Sequence, residues 1–145
     1  MPAMSTPSLR LAIPVVRTAR LADLLPDYRD RLRFRVRQQV PGVLAVLERG
    51  DVRLQLWQVQ DHAGPERTVV DLDACATNIF RLAADLVRAG GPLLATTGPC
   101  MQAWGTWTFT LLDAQGNEIV FAQRPRDGDE PPALPSGTRR AVPGP

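Results

Sequence analysis

The residue types that do chemistry are few and scattered in this chain. Its one histidine, His62, lies in the polar stretch "VQDHAGP". A metal site needs three or four converging ligands, and one isolated histidine in a connector does not supply them. The two cysteines, Cys75 and Cys100, lack CxxC spacing and are too few for a disulfide framework, so both read as free thiols. Neither they nor any serine stands beside His62 in the context of a nucleophile and its base. Glu48, Asp113 and Glu118 fall at turns, where a solvated carboxylate is the commoner use. The expectation is therefore no catalytic residue, no metal and no cofactor.

What remains is binding chemistry. Trp57 in "LQLWQV" and Trp104 at the start of "WGTWTF" could stack on a planar ligand, or could fill a core or an interface. In "YRDRLRFRVRQQ", Arg29, Arg31, Arg33, Arg35 and Arg37 occupy every second position. Over the strand part, Arg33, Arg35 and Arg37 share one face. That is either a basic wall for an anion or a solvated face guarding an edge strand, and the sequence favours the solvated face.

The chain of 145 residues is most simply one domain, with 44% hydrophobic and 22% charged residues, as in ordinary soluble proteins. All 17 basic residues are arginine, yet the net charge is only +2 and no continuous basic tract exists, which argues against nucleic acid as a partner. The opening "MPAMSTPSLRLAIPVVRTAR" has a short apolar run broken by Pro14 and flanked by Arg10 and Arg17. It is too short for a signal peptide or a membrane span, so a cytoplasmic protein with no membrane partner is expected.

The elements that must position these residues come in a repeated order. "RLAIPVVRT" is a strand. Leu21, Leu24, Leu25, Tyr28 and Leu32 then trace one face of a helix, which Pro26 kinks or starts. "FRVRQ", "GVLAVLERG" and "DVRLQLWQV" are three strands, the last two joined by a tight turn at Gly50 and Asp51. After the connector "QDHAGPER" the order recurs. "RTVVDL" is a strand, and Asp73 is the expected N-cap of a helix with Cys75, Ile79, Leu82 and Leu86 on its apolar stripe, ending at Gly90 and Gly91. "PLLATT" is a strand, Gly98, Pro99 and Cys100 a loop, and "WGTWTFTLL" and "NEIVFAQ" a hairpin across "DAQG". The fold class is thus α+β, two βαβββ repeats forming a cupped mixed sheet with helices outside. Residues 1–8 are expected to be a flexible N-terminus and 9–124 a single domain (repeat one about 9–60, repeat two about 66–124). Residues 125–145, with six prolines, are expected to be a disordered tail.

The segments "IPVVRT" leading to "DYRDRLRFRV", then "AVLERGDVRLQLW", and later "WGTWTFTLLDAQGNEIVFAQ" with the helix end "LVRAGG", resemble the vicinal oxygen chelate superfamily of glyoxalase and bleomycin-resistance-like proteins. The family forms are a Pro-Val strand, an FYRDxLGF helix end, a GVxLHLW strand and a DPDGNxIEF hairpin. Asp27 replaces the Phe of the FY pair, Arg33 the Gly of LGF and Ala114 the Pro of DPDG, and the second helix reads as longer than usual. Metal ligands in the superfamily's enzymes would fall at Ile13, Gln55 and Val120, and only Gln55 could ligate. The resemblance therefore implies a metal-free binding protein of the bleomycin-resistance-like kind, a homodimer with clefts shared between subunits. Its partner would be a partly aromatic small molecule, held without any bond being made.

If Gln55 faces the cleft, alternation adds Arg53 and Trp57 beside it. The same rule brings Ile13, Val15 and Arg17 inward from the first strand, Glu118 and Val120 from the last, and Thr108 from "WGTWTFTLL", with Trp104 at that strand's start. Drugs of the bleomycin class are cationic, whereas this cleft would be basic, which points to a different or anionic ligand. The alternative is a metal-independent isomerase or lyase with Glu118 as base and Arg53 holding a small anionic substrate.

Overall fold

Each half of the chain folds into the same unit in the computed structural model, which describes residues 13–90 and 98–129. In the first half, β1 (Val15–Thr18) leads to α1 (Leu21–Pro26), a five-residue π-helical turn (Asp27–Arg31), and strands β2 (Arg35–Val40), β3 (Leu44–Arg49) and β4 (Val52–Gln58). In the second, β5 (Arg67–Asp71) leads to α2 (Ile79–Arg88), β6 (Cys100–Met101), β7 (Trp107–Leu112) and β8 (Glu118–Gln123). The two four-stranded sheets have matching orders, β1-β4-β3-β2 and β5-β8-β7-β6. In each, the first strand runs parallel to the last and the other pairs are antiparallel. The two mixed sheets adjoin at their edge strands β1 and β5. Thr68 Oγ1 donates to the Val15 carbonyl at 3.1 Å, and the Arg17 N–H to Glu66 Oε1 at 3.2 Å.

Strand alternation sorts the side chains as the pleat requires. Val52, Leu54 and Leu56 on β4, Ala45 and Leu47 on β3, Phe109 and Leu111 on β7, and Ile119 and Phe121 on β8 are buried, packing with Leu21, Leu24 and Tyr28 of the first helical segment and Ile79, Leu82 and Leu86 of α2. Each fully buried leucine contributes about 2 kcal/mol. Phe109 stacks on Phe121 at 4.9 Å, and Phe80 meets Trp107 edge-on at 4.9 Å. The opposite face of both sheets is the open one.

Two helix boundaries differ from the sequence expectation. Pro26 lies inside the first helical segment and has no N–H to donate, and the chain widens directly after it, the Leu32 N–H reaching back to the Asp27 carbonyl. The second helix starts at Ile79, not after Asp73. Asn78 caps it, its Oδ1 accepting from the Phe80 and Arg81 N–H groups at 2.8 and 3.1 Å, while Asp73 is bound to Arg124. Cys75 therefore stands before the helix, half-buried against the core, and the helix is ten residues rather than an extended one. Cys100 belongs to the short strand β6, not to a loop. The strand expected at "PLLATT" lies outside the described residues.

Arg33 has a φ of +64°, in the left-handed region. This is the position where the resemblance expects glycine, and the backbone has kept the shape that glycine would suit. Gly50, at φ +61°, closes the β3–β4 turn.

Candidate functional site

The open face is built by the strand residues that alternation leaves away from the helices. Register brings Val15 opposite Gln55, Arg17 opposite Trp57, and Trp57 opposite Leu44. On the second sheet Val120 lies between Val69 and Thr110, and Ala122 opposite Thr108. Of the residues expected there, Val15, Arg17, Arg53, Gln55, Trp57, Thr108, Glu118 and Val120 occupy the alternating positions away from the helices, and half-buried Ile13 precedes β1 in the same phase. Trp104 does not fit. It sits in the turn between β6 and β7, 72% exposed, because the strand starts only at Trp107.

Trp57 is 41% exposed, and its ring is fixed by an indole N–H that donates to Gln55 Oε1 at 2.8 Å. Val69 on the second sheet is 57% exposed. The alternation in "RTVVDL" that buries Val70 turns Val69 to the open face, a residue the sequence reading passed over. Thr108 Oγ1 accepts from Gln102 Nε2 at 2.8 Å.

The charges of this face are paired. Glu48, whose side chain is 13% exposed, gathers Arg35 at 2.8 Å, Arg37 at 3.3 Å and Arg53 at 3.8 Å. An irregularity in register between Val36 and Gln38 accompanies the approach of both β2 arginines to it. The arginine stripe thus has a carboxylate facing it, from the neighbouring strand, and β2 is an edge strand as the solvated-face reading expects. Arg17 binds Glu66 at 2.8 Å, and its hydrogen bonds to that carboxylate hold the Glu66 pKa below its ordinary range against the opposing effect of burial. Glu118 is bound to Arg67 at 2.9 Å. The enzyme alternative needs Glu118 beside Arg53, and the structure gives each a different partner on a different sheet.

The donor set at the positions where the sequence resemblance would put metal ligands does not suit a metal. Ile13 and Val120 carry no lone pair, and the Gln55 carbonyl oxygen is engaged by Trp57. Among the described residues no group of three or more His, Cys, Asp or Glu is close enough to hold one. His62 lies in the connector beside Arg17 and Arg20, lining a cavity of about 290 Å³, with its Nε2 buried and without a partner among the described residues.

No family model matches the chain, and no curated protein does. Solved structures do. The chain has the glyoxalase/bleomycin-resistance fold. A bleomycin resistance determinant encoded on the transposon Tn5 superposes with a TM-score of 0.59 at 20% identity, over 78% of this chain and 96% of that one. A glyoxalase/bleomycin resistance protein from Catenulispora acidiphila gives 0.58 at 19% identity, over 79% and 97%. A lactoylglutathione lyase from Agrobacterium tumefaciens gives 0.56 at 15% identity, over 75% and 89%. The glyoxalase/bleomycin-resistance fold thus accounts for the two βαβββ modules, and the chemistry on their open face is this chain's own.

Proposed function

We propose that this protein binds and sequesters a partly aromatic small molecule on the open face, without a metal and without catalysis. The cleft would be completed by a second copy of the chain, making the working unit a homodimer. The observation that carries this reading is Trp57: a large aromatic ring, two-fifths exposed, hydrogen-bonded into a fixed orientation by Gln55 and flanked by Leu44 and Arg17. A held, exposed indole is a stacking platform whose ordering cost is already met. The solved bleomycin resistance determinant lends support through its shared fold, and antibiotic resistance by sequestration is the corresponding role. Pairing of Arg17 with Glu66 and of Arg53 with Glu48 leaves the face less basic than its arginines suggest, so a cationic glycopeptide is not repelled. No described helix is long and apolar enough to cross a membrane; a cytoplasmic location is part of the proposal.

The test is thermal unfolding during titration with a bleomycin-type glycopeptide and, separately, with an anionic aromatic sulfonate. Ligand at 100 times its dissociation constant adds about 2.7 kcal/mol of stability. A saturable rise with either compound, lost in Trp57→Ala, is the expected result. A flat response to both, or a rise that Trp57→Ala leaves intact, contradicts it.

A further inference from the structure

A second cavity, of about 620 Å³, lies away from the open face, between the β3–β4 turn and the start of α2. Its walls include Arg49, Thr77, Asn78, Arg81, Leu82 and Asp85. Arg49 continues the row of Ala45 and Leu47, the core side of β3, and its register partner Val52 is fully buried. Its Nε is buried and meets no acceptor among the described residues. A desolvated cationic donor without a partner is costly, and in native proteins such a group usually serves an ion, a water or a ligand.

The neighbouring groups have been satisfied in a way that leaves donors, not acceptors, unused. The Phe80 and Arg81 amides go to Asn78 Oδ1, and the Ile79 amide to Gln123 Oε1 at 3.0 Å. This occupies the Asn78 oxygen, while its side-chain NH2 has no acceptor among the described residues. Asp51, the nearest carboxylate on the turn, accepts from the Ala76 N–H and the Thr77 hydroxyl. Asp85 is bound by Arg88 rather than by Arg81 one turn before it. Among the described residues, neither the Arg49 nor the Arg81 guanidinium has a carboxylate partner. Two guanidiniums and an amide thus share one cavity whose carboxylates are already engaged, at the positive end of α2.

We propose that this cavity binds the phosphate group of a phosphorylated small molecule, at a site separate from the open face. Guanidinium forks match the tetrahedral oxyanion, and Leu82 offers an apolar wall to the remainder of the ligand. The volume is that of ordinary small-molecule sites. Because the proposal does not involve Trp57 or a second copy, it stands or falls independently of the sequestration reading.

Calorimetric titration of the full chain with inorganic phosphate and with a nucleoside monophosphate, at fixed ionic strength against a chloride control, tests it. Saturable binding of the monophosphate is expected, weakened about tenfold or more in Arg81→Gln, as for loss of one charge-assisted hydrogen bond. Arg29→Gln, the same charge change at an exposed site, should bind as the parent does. Arg49→Met should abolish binding while leaving the ligand-free melting temperature equal or higher, since it removes a buried Nε donor that meets no acceptor among the described residues. The proposal is overturned if no binding exceeds the chloride control, or if Arg81→Gln binds like the parent. A lower ligand-free melting temperature in Arg49→Met with phosphate affinity retained would also overturn it, assigning Arg49 a purely structural role.

Discussion

The two modules share strand order, and in each the hairpin turn of one reaches across to the helical segment of the other. They do it with different chemistry. The second module's turn presents Asp113, 5% exposed, which accepts from the Tyr28 hydroxyl at 2.7 Å, the Asn117 N–H and side-chain amide at 3.0 and 2.9 Å, and the Gln115 N–H at 2.9 Å. Asp27 returns the contact by accepting from the Ala114 N–H at 2.7 Å. Burial first, and then the charge of Asp113, push the Tyr28 pKa well up, so the phenol stays a donor. The first module's turn presents an exposed Asp51 to Ala76 and Thr77. The difference follows from the helices. The first is short, holds Pro26 and gets no cap from its own N-cap residue, Arg20, so it leans on the partner turn; the second has its own Asn78 cap and needs less.

The comparison breaks most directly at Asp113. Asp113→Ala leaves several buried donors unpaired and should cost about 3 kcal/mol, lowering the melting temperature by roughly 10 °C. Asp51→Ala, its counterpart, should cost only about 1 kcal/mol, the scale of an exposed cap, in the same denaturation assay. Equal losses at the two turns would show that the asymmetry has no energetic meaning. Arg33→Gly, at the left-handed position after the first helix, should gain up to about 1 kcal/mol in urea unfolding, where an ordinary exposed site would lose stability. The smallest effect belongs to pH. Arg17 lowers the folded-state pKa of Glu66, so the stability it contributes is fully present above its ordinary value of 4.5 and is lost as pH falls through the lowered one. Melting curves below that pH should therefore fall more steeply for the parent than for Glu66→Gln.

Much of this was legible in the sequence, for reasons that particular residues make plain. The alternation "VRLQLW" fixed which of Val52 to Trp57 face the core, because a strand has only two faces. Gly50 and Gly116 marked both turns. The start of α2 was not legible, because Asp73 and Asn78 are both good caps, and the choice lies in long-range contacts: Arg124 takes Asp73, and Asp51 takes Ala76 and Thr77. The partners of the open-face arginines were hidden likewise. Glu48 reads as a turn carboxylate until a register irregularity in β2 brings two arginines to it. The cavity at Arg49 had no local signal, since its walls come from segments about thirty residues apart.

The central claim, that the open face around Trp57 is the binding surface, is tested most directly by acrylamide quenching of Trp57 fluorescence in a Trp104→Phe/Trp107→Phe protein. Protection that saturates with added glycopeptide or aromatic sulfonate is the result this account predicts. A Trp57 that stays equally accessible to the quencher at every ligand concentration would contradict it.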